Sequence, residues 1–369
     1  MIVKLRLRTF NTNRESLMKV NFYKIFLICY LFAFYKGNAQ EHKFSINGFF
    51  DLEAEVSNKD ASGKIWTFDQ HHLNIITNYL IDDHFRVSSE IEWEHGPLFS
   101  SSLSTGNIYL AKAFLEYKHS DALLIRAGKF LSPFGIYNEK HDATPTYLSS
   151  FLPQSIYGNQ EQSFGGKGRL FAKHSTGIQL LGNLYWDNMS LKYHVYLSNG
   201  RGHNENEKDN NSNKGVGWRV VFSPMGQELS IGNSFYSDRN GNAGNTLQST
   251  IGFDVEYNSG DAHIEAEYFI PKIEKVDEKG IPNGKYRTVN GYYVLGAYTF
   301  LERITPFIRF EQFDSDIDFE NNSETITTIG INYSISSSVF LKAETQLYRF
   351  QNQLLEKYEL FVTSIAVAF

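Results

Sequence analysis

Three stretches carry side chains of the kinds that bind metals or move protons: His71-His72, Asp82-Asp83-His84, and the run Glu90 to His95, "EIEWEH". Imidazoles and carboxylates are ligands for zinc and its neighbours. The spacing speaks against such a site. On an extended strand adjacent side chains point to opposite faces, so His71 and His72 should diverge. The lone cysteine, Cys29, and the lack of a helical His-x-x-x-His pair leave no standard zinc pattern. No Gly-x-Ser-x-Gly elbow is present. A Ser-His pair spread over neighbouring strands would leave no local motif. Wall and rim charges are the ordinary explanation of these clusters, and the expectation is no metal, no other cofactor, no catalytic residue and no enzyme.

The elements that would position these residues begin after a leader. Met18 to Ala39 has a basic start at Lys19 and Lys24, an apolar run from Ile25 to Tyr35, and the small-residue end Gly37-Asn38-Ala39. That is the layout of a signal peptide, here residues 1–39 with Met18 as the expected start. The remainder, residues 40–369, holds no cysteine and carries 28 basic against 40 acidic residues, a net charge of −12. A disulfide framework is thereby excluded, and no nucleic-acid partner is expected. No further apolar stretch has the ~20 residues of a spanning helix.

The chain after the leader reads with period two, the period of strands. In "SVFLKAETQLYRF" (Ser338 to Phe350), Val339, Leu341, Ala343 and Leu347 fall on one face and Lys342, Glu344 and Gln346 on the other. Glu90, Glu92 and Glu94 likewise alternate with Ile91 and Trp93. Sixteen such runs can be delimited, and their connections alternate between short turns ("DDH", "WDN", "NSGD") and long polar loops. Aromatic residues make up 15% of the chain, enough for girdles at two membrane interfaces. "YELFVTSIAVAF" sets Phe361, Thr363, Ile365 and Val367 on one face and ends on Phe369, like the signal read by barrel-assembly machinery. The fold expected is all-β: a 16-stranded antiparallel transmembrane β-barrel in the outer membrane of a Gram-negative cell, with short periplasmic turns and long extracellular loops.

The face opposite the lipid carries thirteen acids, among them Glu90, Glu92 and Glu94, against seven fixed bases. So many charges require a wet interior, and sixteen strands leave room for one. A wet interior that spans a membrane conducts. The longest connection, residues 132–168, includes the apolar side chains Phe134, Ile136, Tyr137, Tyr147, Phe151, Leu152 and Tyr157, which a freely solvated loop would not need. This third extracellular loop is expected to fold inward and narrow the channel. Arg126, Lys129, Glu139, Lys140, His141, Asp142 and Arg169 would stand at the constriction, with Glu90, Glu92 and Glu94 on the wall giving a preference for cations.

"RAGKFLSPFGIYNE", Arg126 to Glu139, resembles the strand-to-loop segment of the phosphate-selective porin O/P superfamily, in which a Gly-basic/Gln-Phe pair precedes Pro-Phe-Gly. With the architecture, the resemblance extends over nearly all of residues 40–369. It implies a passive diffusion channel for small hydrophilic solutes or ions, assembled as a homotrimer. The basic lining of phosphate-selective members is not matched: only Arg126, Lys129, Lys140, Lys167 and Arg169 lie near the expected constriction, so phosphate selectivity is not carried over. The rival reading is a closed barrel serving as an adhesin or an enzyme platform.

Overall fold

Alternation of lipid-facing and inward side chains dictates the architecture. The structure, a computed structural model, describes residues 43–59, 65–95, 107–141, 143–158, 169–200, 209, 211–241 and 244–369. The leader (residues 1–39), Asp142 and Lys167 lie outside the described residues. Sixteen antiparallel strands form one sheet that closes on itself. They are β1 (Phe44–Ser57), β2 (Thr67–Asp69 continued by His72–Leu80), β3 (Phe85–Glu94), β4 (Asn107–Ser120), β5 (Leu123–Leu131), β6 (His174–Trp186), β7 (Met189–Ser198) and β8 (Gly215–Ser223). The second half comprises β9 (Leu229–Asn240), β10 (Thr246–Ser259), β11 (Ala262–Val276), β12 (Pro282–Thr288 continued by Asn290–Tyr298), β13 (Ile304–Asp314), β14 (Ser323–Ser334), β15 (Val339–Phe350) and β16 (Tyr358–Ala368).

Closure runs between β1 and β16, from Phe49 opposite Ala368 to Ser57 opposite Leu360. Gly48 and Phe369 exchange both backbone hydrogen bonds, at 2.7 and 2.9 Å. The approach is close: a Cβ on Gly48 would meet the Phe369 ring at 2.5 Å. Closing the sheet removes every unpaired edge, which a membrane core would not tolerate.

Burial follows the expected parity. Ile178, Leu180, Val195 and Leu197 remain exposed, whereas Gln179, His194 and Tyr196 between them are buried. Apolar residues out and polar residues in is the inverse of a soluble protein, and the outer belt belongs in lipid. Tyr79, Phe85, Tyr185, Trp186, Tyr257 and Tyr298 stand exposed beside the short turns, at the level of a membrane interface.

Two local departures bear on the site. β6 starts at His174 rather than near Arg169, so the connection from β5 runs over residues 132–173. β2 is interrupted at Gln70 and His71, which breaks the alternation. The His71 and His72 rings therefore do not diverge; they stack with centroids 4.0 Å apart and 20° between planes.

Candidate functional site: the docked loop and the barrel wall

The connection between β5 and β6 leaves the sheet through Ser132, Pro133, Phe134 and Gly135 and turns into the barrel. Gly135 makes the turn with φ +61°, a value side-chain-bearing residues rarely adopt. A Cβ there would sit 2.2 Å from the Tyr157 hydroxyl and 2.3 Å from Glu267 Oε2. Its backbone N–H donates to Ser234 Oγ on β9 at 3.0 Å. Phe134 stacks on Phe171 of the returning limb at 4.1 Å. Among its described residues the segment contains the 3-10 turns Asn138–Lys140 and Thr144–Thr146 and a short helix, α1 (Gln154–Tyr157). Its apolar side chains, with Phe134, Tyr137, Tyr147, Phe151 and Ile156 among them, are buried in one cluster with Tyr236, Phe269, Tyr293 and Tyr348 of the wall.

The polar half of the docking surface is acidic wall against loop donors. Glu344 on β15 accepts the Ser149 hydroxyl at 2.8 Å and the Ser150 N–H at 2.8 Å. Lys342, two residues earlier, donates to the carbonyls of Thr144, Tyr147 and Ser149 at 2.6, 2.8 and 2.8 Å. On β13, Arg309 donates to Phe151 O at 2.9 Å and pairs with Glu311 at 2.8 Å, while Glu311 accepts the Ser155 N–H at 2.9 Å. On β11, Glu267 accepts the Tyr157 and Tyr293 hydroxyls, each at 2.8 Å, and the Ile136 N–H at 3.2 Å. Glu265 accepts the Tyr137 hydroxyl. Burial, then the neighbouring Glu265 charge, holds the Tyr137 phenol well above its ordinary pKa; burial and Glu267 do the same for Tyr157. Both stay protonated and remain donors. A carboxylate buried without such partners would be costly, and these are almost fully buried.

The candidate pore residues fall into distinct settings. His141, on the loop, is buried with Nδ1 3.1 Å from Glu90 and Nε2 3.1 Å from Glu92. Glu90 also pairs with Lys112 at 2.7 Å and accepts from Asn74 at 2.7 Å. Glu94 accepts the Tyr109 hydroxyl at 2.9 Å. Glu139 lies 3.6 Å from Lys192 and 3.7 Å from His194, and Lys140 lies 3.7 Å from Glu256 and over the Tyr137 ring. Arg126 pairs with Glu116 at 2.8 Å, donates to Gln179 at 2.9 Å and covers the Phe114 ring. Lys129 donates instead to the carbonyl of Leu110 on β4. The Arg169 guanidinium lies 5.9 Å from the Tyr157 ring centroid.

Accessibility separates them further. Glu90 and Glu92 are 1% and 0% exposed, spent on holding the loop. Toward the short-turn end, Arg86, Lys192 and Lys140 are 39%, 50% and 35% exposed, and Glu256 is 27%. Burial pulls Glu139 toward the neutral form, but the charges of His194, Lys192, Arg219 and Arg126 outweigh it and hold its carboxyl below the ordinary value. The anchoring roles of Lys342, Glu344, Arg309 and Glu267 had no signal in the sequence beyond an inward parity.

No family model matches the chain. An uncharacterized protein of Aquifex aeolicus is 26% identical over 165 residues, 44% of this chain; the chain spans about a third (34%) of that relative's length. Several solved structures are similar in fold. An anion-selective porin from Comamonas acidovorans gives a TM-score of 0.62 at 12% identity, with 88% of this chain and 99% of that one covered. OmpF of Salmonella typhi, in complex with daunomycin, gives 0.59 at 12%, covering 88% and 97%. The trimer form of OmpT, an outer membrane protein of Vibrio cholerae, gives 0.53 at 12%, covering 88% and 99%. At these identities the likeness is one of fold. The chain is a sixteen-stranded outer-membrane β-barrel of the architecture found in porins.

Proposed function

We propose that the chain is a diffusion channel of the Gram-negative outer membrane, passing small hydrophilic solutes or ions, and that it is not an enzyme. The observation that carries this reading is the loop after β5, whose described residues 132–141 and 143–158 are held against the inner wall by Lys342, Glu344, Arg309 and Glu267; a sixteen-stranded barrel leaves room for water beside it. A loop so fixed defines a constriction, and beside it Arg86, Lys140, Lys192 and Glu256 keep solvent-accessible charge. The Pro-Phe-Gly turn at Gly135 supports kinship with the phosphate-selective porin O/P superfamily, without its phosphate selectivity. A homotrimer accords with the named trimer form of a similar fold. Export through the leader and insertion by the barrel-assembly machinery complete the proposal.

The deciding experiment is conductance of the refolded barrel in a planar bilayer under a salt gradient. Stepwise openings on the nanosiemens scale are expected. A folded, heat-modifiable barrel that stays silent would overturn the channel reading in favour of a closed barrel.

A further inference from the structure

The interruption of β2 gathers imidazoles at the long-loop end of the barrel. His71 stacks on His72 at 4.0 Å and on His95 at 4.6 Å. Next to them His72, Glu92 and Glu94 each offer one ligand atom, and these three atoms lie within 4.8 Å of one another. We propose that His72, Glu92 and Glu94 form a site for a divalent transition-metal cation, of the class of Zn²⁺, Co²⁺ or Ni²⁺, in the barrel wall beside the docked loop.

The surroundings are those of a built site. Asp51 accepts both the His72 backbone N–H, at 2.8 Å, and Nδ1, at 3.0 Å. With Nδ1 engaged, Nε2 is the nitrogen a cation would take, the carboxylate–histidine–metal arrangement that fixes ring orientation and tautomer. Tyr109 donates to Glu94 Oε1 at 2.9 Å and orients the second carboxylate. Acidic side chains crowd the site: Glu92 is fully buried, and Glu53, whose Oε2 lies 3.3 Å from His71 Nδ1, has Oε1 buried with no hydrogen-bond partner among the described residues. Lys112 is already taken by Glu90. Buried carboxylates so crowded call for compensating positive charge. One nitrogen and two oxygen ligands without a thiolate suit a borderline divalent ion, and the imidazole disfavours calcium and magnesium. Binding at about 2.0–2.2 Å from the metal would draw the three atoms closer by side-chain rotation. Entry is available at the rim, where His95 and Asp69, 2.7 Å apart, are 32% and 30% exposed.

The site shares Glu92 with the loop, whose His141 Nε2 lies 3.1 Å from Glu92 Oε2. An ion that takes Glu92 therefore competes with one of the loop's anchors.

The test is a Co²⁺ titration of the refolded full-length barrel, read by ligand-field absorption, with folding checked by heat-modifiable migration. One Co²⁺ per chain, displaced by Zn²⁺, is expected. His72→Ala and Glu94→Gln should each weaken binding roughly tenfold or more, and Tyr109→Phe should weaken it less; His263→Ala, on a distant strand, should not. If His72→Ala does not fold, Glu94→Gln and Tyr109→Phe carry the comparison. A folded wild type without ligand-field bands, or unchanged binding in the folded variants of His72 and Glu94, overturns the site. The readout is independent of conductance, so its failure leaves the channel reading intact.

Discussion

Glu344 on β15 accepts the Ser149 hydroxyl at 2.8 Å, joining residues 195 positions apart. The loop that leaves the sheet at β5 is thus fastened to a strand that does not neighbour it, and the interior is crossed by a bridge of hydrogen bonds. Several expectations derive from that bridge.

Lys342→Met removes the donor to three loop carbonyls while preserving much of the side chain's volume. Hydrogen bonds from a charged donor contribute about 1.5–3 kcal/mol each, and the orphaned carbonyls add a penalty. The loop should loosen, with single-channel conductance rising and gating noise increasing. Unchanged conductance in a folded variant would remove the loop from the conduction path.

Gly135→Ala places a methyl group where the Tyr157 hydroxyl and Glu267 now stand, at a φ of +61°. A strained substitution of this kind costs roughly 1–3 kcal/mol. Since 1.4 kcal/mol is a factor of ten, trypsin cleavage after Lys140 should speed up about tenfold or more. An unaltered cleavage rate would mean that the turn does not govern docking.

Charge reversal should depend on accessibility rather than on wall position. Lys192→Glu and Lys140→Glu, at partly exposed positions, should move the zero-current potential toward cation preference. Glu90→Gln, buried against His141 and Lys112, should leave it nearly unchanged. If the Glu90 variant proved the most effective of the three, ion preference would instead be set by the wall acids Glu90, Glu92 and Glu94.

Acid should act through Glu139. Its carboxyl sits below the ordinary value of 4.5, so its contribution is fully present above that pH and is lost as pH falls through the depressed value. Conductance and loop proteolysis should then change below about pH 4.5 in the wild type, and Glu139→Gln should flatten that change. A variant retaining the wild-type acid response would place the titrating group elsewhere.

The barrel was legible because parity is local. Gln179 between Ile178 and Leu180, or Glu344 between Ala343 and Thr345, declares its face from two neighbours, and the sixteen runs in the sequence correspond to sixteen strands. Parity fails where the backbone departs from it. The sequence offered no sign that β2 breaks at Gln70 and His71, and so His71 and His72 read as diverging when their rings stack. Arg169 to Lys173 read as the opening of a strand, yet Leu170, Phe171 and Ala172 are all buried and Phe171 packs against Phe134. The pairing of Ser149 with Glu344 or of Tyr157 with Glu267 depends on which wall the loop reaches. That is a property of the closed barrel and not of any short window.

The span of those contacts also has a mechanical consequence. Residues 144–151 find partners on β13, β14, β15 and β16, among them Ser364 at 2.8 Å from Ser150, while His141 meets Glu90 and Glu92 on β3. The loop is therefore a strut that ties the first strands of the chain to the last across the interior. A cysteine at position 149 should stay closed to thiol reagents until that strut is released.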